Sequence, residues 1–513
     1  MRQLTYIFLT LVICVLSCES RKNVLFIVSD DLRPEIAAMY DKGNPYQMHD
    51  KMYTPHLDAF AERSAVFRKA YVQQAICGPS RASFMTGRRP DTTHVYNLDD
   101  YFRTVGGDFT TIPQYFKQQG YRTLGMGKIF HGGSASGGNY DKVSWSDDEE
   151  FFTSPSDKKY WRKRFKMRSW AVVNKTMEEE HPLGDQEITD HAIKSLRRLA
   201  PTAKLGLENF FMAVGFRLPH LPFVFPGRFL KYYPKETMKM PSNPYAPKDM
   251  PEYAWHGNGE IRNGYADITL RGFSKEPNTK WPEYLVKNLR RAYYASVSYV
   301  DSLFGKIMAE LDRLGLRDDT IVMFGSDHGY ELYEHSAWCK HTNFEIATRT
   351  PLMIRAPGVT DKGVMSDHLV EYTDVYSTLV ELAGLPALPT CPKDSSKVKA
   401  CTEGTSLVPV MKNPNLPGKQ SVFMQYPRNR GPRIGTIMGY SMRTERYRYT
   451  EWVKFNGKPD FTPNWFLLFA SELYDHYVDP DENVNRAGVQ AYASVKAQLS
   501  KTLHAGWRAQ LPS

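Results

Sequence analysis

Asn23-Val24-Leu25-Phe26-Ile27-Val28-Ser29-Asp30-Asp31 is a short β-branched and aromatic run that ends abruptly in two carboxylates. Runs of the same kind recur at 121–126, 210–215, 320–325 and 351–356. Between them lie longer amphipathic stretches, at 55–68, 185–199, 286–314 and 372–383, where apolar residues return every three or four positions and predict helices. This alternation predicts an α/β fold with a large, mostly parallel sheet flanked by helices. Residues 231–282 are rich in Pro, Tyr, Asn and Gly with little periodicity and read as a long ordered insertion over one face of that sheet. After a loop-rich stretch at 386–417, runs at 422–425, 437–443 and 447–453 predict a smaller C-terminal subdomain with an antiparallel sheet. The division expected is 21–415 for the main subdomain and 416–513 for the smaller one.

In open α/β sheets ligands gather at the carboxyl ends of the strands, so the residues just beyond each strand matter most. The first runs into Asp30 and Asp31, the one at 320–325 into Asp327 and His328, the one at 210–215 leads to His220, and the one at 121–126 to Lys128 and His131. Three carboxylates in one cleft would repel one another unless a cation held them. Oxygen-rich ligation favours calcium or magnesium over zinc. Taken alone, Asp30-Asp31 also reads as a helix cap or turn; Asp327-His328 in the same relation to another strand turns the reading to a metal.

The N-terminus carries Arg2, an apolar run from residue 6 to 16, and small residues at Ser17 and Ser20, the pattern of a cleaved export signal over 1–20. The alternative is a bacterial lipoprotein signal acylated at Cys18, with a tethered or periplasmic product. No later stretch is long and apolar enough for a transmembrane helix. A net charge of +10 suits an acidic partner. With no zinc-knuckle spacing, no basic helix and an export signal, nucleic acid is set aside in favour of a sulfated polysaccharide. Outside the leader, Cys391 and Cys401 bracket a short Lys- and Ser-rich loop and read as a local disulfide. Asn174-Lys175-Thr176 is a glycosylation sequon.

Cys77-Gly78-Pro79-Ser80-Arg81 begins a predicted helix: Pro79 suits a first turn and Gly87 an end. Cys77 therefore sits where free amides attract an anion, with Arg81 one turn along. Read from the residues alone, Cys77 is open to three roles: a reactive thiol, a buried structural cysteine, or half of a disulfide with Cys339.

Cys-x-Pro-Ser-Arg resembles the sulfatase signature, in which the cysteine is oxidised to formylglycine during export. Residues 120–131, Gly-Tyr-Arg-Thr-Leu-Gly-Met-Gly-Lys-Ile-Phe-His, resemble the second signature of that family. The stretches 87–93, 213–223, 326–329, 437–444 and 446–450 resemble the branch that acts on 2-sulfated iduronate. The resemblance covers nearly the whole chain after the leader, includes the 391–401 disulfide loop, and implies the alkaline phosphatase-like sulfatase fold. It implies one calcium ion on Asp30, Asp31, Asp327, His328 and the modified Cys77, with Arg81, Lys128, His131, His220 and Lys340 around the formylglycine and the sulfate. A hydrated aldehyde has two hydroxyls on one carbon, so one attacks sulfur and loss of the second proton later expels sulfate. His220 or Lys340 would protonate the leaving oxygen and His131 would accept the proton that releases sulfate.

The implied activity is removal of 2-O-sulfate from non-reducing terminal iduronate in heparan or dermatan sulfate, by a lysosomal or secreted enzyme matured by the formylglycine-generating enzyme and favoured as a monomer. Other glycan or aryl sulfatases, a phosphoester hydrolase with two metals, and a non-catalytic glycan-binding homologue are the rival readings. Two departures stand out: Tyr333 occupies a position where the family commonly has Gly before Glu334-His335, and Cys339 directly precedes Lys340.

Overall fold

The computed structural model describes residues 21–36, 39, 52–147, 150–156, 164–165, 167–431 and 435–511; the leader at 1–20 lies outside them. The main sheet is built from β1 (Asn23–Ser29), β2 (Ala65–Tyr71), β3 (Arg122–Gly127), β4 (Phe151–Phe152), β5 (Phe210–Phe216), β6 (Thr320–Ser326), β7 (Arg349–Arg355) and β8 (Val364–Glu371). Their order is β8-β2-β7-β6-β1-β5-β3-β4. Every pairing is parallel except those of β7, which runs antiparallel to both β2 and β6.

β1 lies centrally, and all its residues are buried. Its alternate side chains serve two different layers, as the pleat dictates. Leu25 and Ile27 pack with Ile188, Ala192 and Leu196 of α3 (Gly184–Lys204) and with Leu289 and Val300 of α4 (Glu283–Arg313). Val24, Phe26 and Val28 pack with Phe84 and Met85 of α2 (Cys77–Thr86) and with Val375 and Leu379 of α5 (Asp374–Leu382). Helices thus cover both faces, which is why β1 is apolar without alternation. Truncating Ile27 to Ala would cost about 2–5 kcal/mol on the scale of such core deletions.

The helix predicted over 55–68 is shorter than expected. α1 spans Pro55–Ala61, and the chain re-enters the sheet as β2. Val66 and Phe67 continue an apolar spacing that looks helical in one dimension, but they are buried between β7 and β8. β8 had no counterpart among the strands expected from sequence. The C-terminal sheet has four strands in sequence order, β9 (Ser421–Asn429), β10 (Thr436–Thr444), β11 (Tyr447–Asn456) and β12 (Thr462–Asp475), all antiparallel; β12 too was not anticipated. Cys391 and Cys401 form a disulfide, while Cys77 and Cys339 are free and buried. No helix among the described residues is long and apolar enough to cross a membrane.

Candidate active site

Parallel register brings the strand ends together. Ser29 pairs with both Ser326 and Phe216, so Asp30 and Asp31 leave β1 beside Asp327 and His328 leaving β6. Asp31 turns through a left-handed backbone, φ 62°, and its N–H donates to Asp327 Oδ1 at 3.1 Å. Lys128 comes directly after β3, and its N–H donates to the Gly215 carbonyl. A Cβ on Gly215 would lie 2.3 Å from the Lys128 backbone, so only glycine lets β5 pass this close. α2 starts at Cys77 and ends at left-handed Gly87, φ 65°, as its sequence implies.

Around Cys77 the side chains converge. Its Sγ lies 3.4 Å from Lys128 Nζ, 3.5 Å from His328 Nε2 and 3.6 Å from Asp30 Oδ1. Asp30 also accepts a short ion pair from Lys128 and a 3.3 Å contact from the Arg81 guanidinium, whose Nε donates to Asp327 Oδ2 at 2.9 Å. Lys340 Nζ is 3.0 Å from both Asp31 carboxylate oxygens. His328 Nε2 is 3.4 Å from Asp31 Oδ1 and 3.5 Å from Asp327 Oδ2. His328 Nδ1 faces the Gly329 carbonyl at 2.9 Å and so carries a proton there, leaving Nε2 with its lone pair toward the acids.

The electrostatics are set by burial. Burial and the Asp30 charge push the Cys77 thiol up, against Lys128 and Lys340, so the unmodified residue is a neutral thiol. For Asp30 the burial penalty is outweighed by Lys128, His220 and Arg81, and it stays ionised. For Asp31 burial dominates over Lys340, and Asp30, Glu260 and Asp327 add to it, so its carboxyl is raised. Burial also lowers His328 and His131, each to about 4, keeping both imidazoles neutral. Ligand atoms of Asp30, Asp31, Cys77 and His328 all lie within 4.8 Å of one another. Two carboxylates, a neutral imidazole lone pair and the residue 77 position make a donor set suited to a hard divalent cation. Asp327 borders this set, its two oxygens engaged by the Asp31 amide and Arg81.

Residues 22–385 match the family described as Sulfatase, and residues 333–509 match N-sulphoglucosamine sulphohydrolase, C-terminal. The chain belongs to the sulfatase family. It is 36% identical to iduronate 2-sulfatase of Mus musculus over 90% of this chain and 89% of that protein. Among solved structures it resembles BT4656 in complex with its substrate D-glucosamine-2-N,6-O-disulfate, with a TM-score of 0.67, 21% identity, and coverage of 95% of this chain and 98% of that one. It also resembles the phosphonate monoester hydrolase of Silicibacter pomeroyi, with a TM-score of 0.70, 20% identity and 96% coverage of both. These two likenesses speak for the fold alone. The family implies a formylglycine and a divalent metal, and Cys77 at its helix start, free of any disulfide, together with the donor set beside it, fits both.

In this sulfatase the remaining residues expected from sequence also reach the site. His131 and His220 line a cavity of about 440 Å³ with Lys128, Tyr140, Ser154 and Arg217. Lys340 arrives on a loop with a left-handed backbone at Tyr333, His335, Ser336, Cys339 and His341. Tyr333, φ 79°, explains why glycine would be easier there; its side chain offsets the strain by accepting from the Trp281 amide and donating to the Thr279 carbonyl, each at 3.0 Å. Glu260, His341 and Tyr426 were not anticipated. Glu260 comes from the 231–282 insertion, which reaches the strand ends, and its Oε1 is 3.1 Å from Lys340 Nζ. Asp31, His220 and Glu260 could by spacing hold a second cation, but the Lys340 ammonium lies between Asp31 and Glu260.

Proposed function

We propose that this sulfatase removes the 2-O-sulfate of non-reducing terminal iduronate in heparan sulfate and dermatan sulfate, with Cys77 converted to formylglycine beside one calcium ion. The carrying observation is the convergence of Lys128, His328 and Asp30 on a cysteine at a helix start, in a chain 36% identical to an iduronate 2-sulfatase. Asp30, Asp31, Asp327, His328 and residue 77 would hold the ion, which when bound supplies positive charge to the sulfuryl oxygens. The hydrated aldehyde would supply one hydroxyl to attack sulfur and a second whose proton loss releases sulfate.

The chain's own side chains then have separable roles. Arg81 fixes the Asp30 and Asp327 carboxylates, and Lys128 sits against residue 77 and the incoming sulfate. His131, neutral and lining the cavity beside Lys128, is suited to accept the proton that releases sulfate. Lys340, held between Asp31 and Glu260, would protonate the sugar oxygen, with His220 beside Glu260 in the same cleft. The lysine between Asp31 and Glu260 takes the place a second metal would need, which favours sulfate ester over two-metal phosphoester chemistry.

The same reading includes export through a leader at 1–20 to the lysosome or outside the cell, maturation by the formylglycine-generating enzyme, glycosylation at Asn174, a monomer, and a subdomain division near residue 416. Activity on a 2-sulfated iduronate disaccharide, against 6-sulfated glucosamine and 2-sulfated glucuronate controls, tests the specificity. Preference for the iduronate substrate is expected; preference for a control would replace it with another glycan sulfatase.

A further inference from the structure

Glu260 touches three cationic or potentially cationic groups at once. Its Oε1 is 3.1 Å from Lys340 Nζ and 3.5 Å from His220 Nε2, and its Oε2 is 3.0 Å from His341 Nε2. His341 Nε2–H donates to that carboxylate, which leaves Nδ1 to accept from the Tyr426 hydroxyl at 2.7 Å. Tyr426 belongs to β9, so a strand of the C-terminal sheet orients an imidazole that orients an acid from the insertion. His220 Nδ1 lies 2.5 Å from the Leu221 carbonyl and places its proton there, so Nε2 is the nitrogen presented to Glu260 and the cleft.

We propose that Glu260 is a positioning residue for Lys340 as the leaving-group proton donor, and that the Tyr426–His341 contact holds it in place; the proposal rests on the sulfatase reading above. Lys340 has three N–H bonds. Asp31 and Glu260 pull on the ammonium from two sides, at 3.0 and 3.1 Å, which fixes its Nζ and leaves a donor direction for the substrate. Without Glu260 the ammonium would rotate onto Asp31 alone. In the reaction a bond forms between sulfur and a hydroxyl oxygen of the modified residue 77 while the sulfur–oxygen bond to the sugar breaks; the electron pair stays on the sugar oxygen, which takes a proton from the Lys340 ammonium. The sugar leaves as the neutral alcohol, and the proton lost by the attacking hydroxyl passes through water to restore the Lys340 ammonium.

The test compares wild type and Glu260→Gln on two sulfate esters, the 2-sulfated iduronate disaccharide and 4-nitrophenyl sulfate, whose phenolate leaves without needing a proton. A misplaced proton donor should lower kcat on the disaccharide about 10–100-fold, with KM changed less than about threefold and the aryl ester affected less than about threefold. Equal losses on both esters, a loss confined to KM, or an unchanged kcat would overturn the proposal. If wild type does not turn over the aryl ester, the division between kcat and KM decides. Tyr426→Phe is the second variant, expected to show the same kcat-selective loss at smaller size with an unchanged melting temperature, and an unchanged kcat there counts against the proposal even if Glu260→Gln does not fold. Failure of wild type on every sulfate ester would instead reject the sulfatase reading on which this rests.

Discussion

Cys77 Sγ stands 3.6 Å from the Asp30 carboxylate, so the residue at the centre of the site faces an anion that opposes thiolate formation. A buried neutral thiol is a poor nucleophile, which agrees with the conversion of Cys77 proposed above. Cys77→Ala should fold normally and lose more than about 10³-fold in kcat/KM, since covalent catalysis depends on that one carbon. Residual activity within about tenfold of wild type would remove Cys77 from the mechanism.

Arg81 is fully buried and bridges Asp30 and Asp327. Arg81→Met leaves two buried carboxylates without that partner, and breaking such a pair typically costs about 3–5 kcal/mol. Chemical denaturation should show a loss of that order, larger in chelator than in calcium. An Arg81→Met protein as stable as wild type in chelator would mean the acids are held by something else.

Asp30, Asp31 and His328 form a donor set best satisfied by a hard cation. Chelation should abolish sulfatase activity and lower the melting temperature, and calcium should restore both better than zinc. At a concentration about a hundredfold above its Kd, calcium would add about 2.7 kcal/mol to folding stability. Full activity after exhaustive chelation would contradict the metal reading.

Away from the site, burial raises the Asp301 carboxyl to about 7, against hydrogen bonds from the Leu57 and His56 amides, and raises Glu472 to about 7, against Trp452 and Tyr474. Between about pH 4, where such groups titrate in the unfolded chain, and about pH 7 the folded state binds more protons. Their contribution is therefore fully present below about pH 4 and is lost as pH rises through about 7. Stability measured by denaturant titration should fall from pH 5 to pH 8, and Glu472→Gln should flatten that fall. A steeper fall in the variant would contradict the assignment.

Much of this site was legible because its residues sit at fixed offsets from strand ends and a helix start. Asp30, Asp327, Lys128 and Cys77 adjoin elements whose apolar runs are strong in one dimension, and parallel register then brings them together. Glu260 was not legible. It lies in a segment without periodicity, and only the fold places its carboxylate against Lys340, eighty residues later in the chain. Val66 and Phe67 misled for a related reason, since apolar spacing after α1 does not reveal that β7 and β8 flank them. Tyr333 shows the reverse case: a departure from the family glycine was visible, but the Trp281 and Thr279 contacts that support its left-handed backbone were not.

The most direct measurement is peptide mass analysis of the segment around Cys77 in a catalytically active preparation. An aldehyde in place of the thiol at residue 77, in proportion to specific activity, is the expected result. An active preparation carrying only unmodified cysteine there would contradict the formylglycine mechanism.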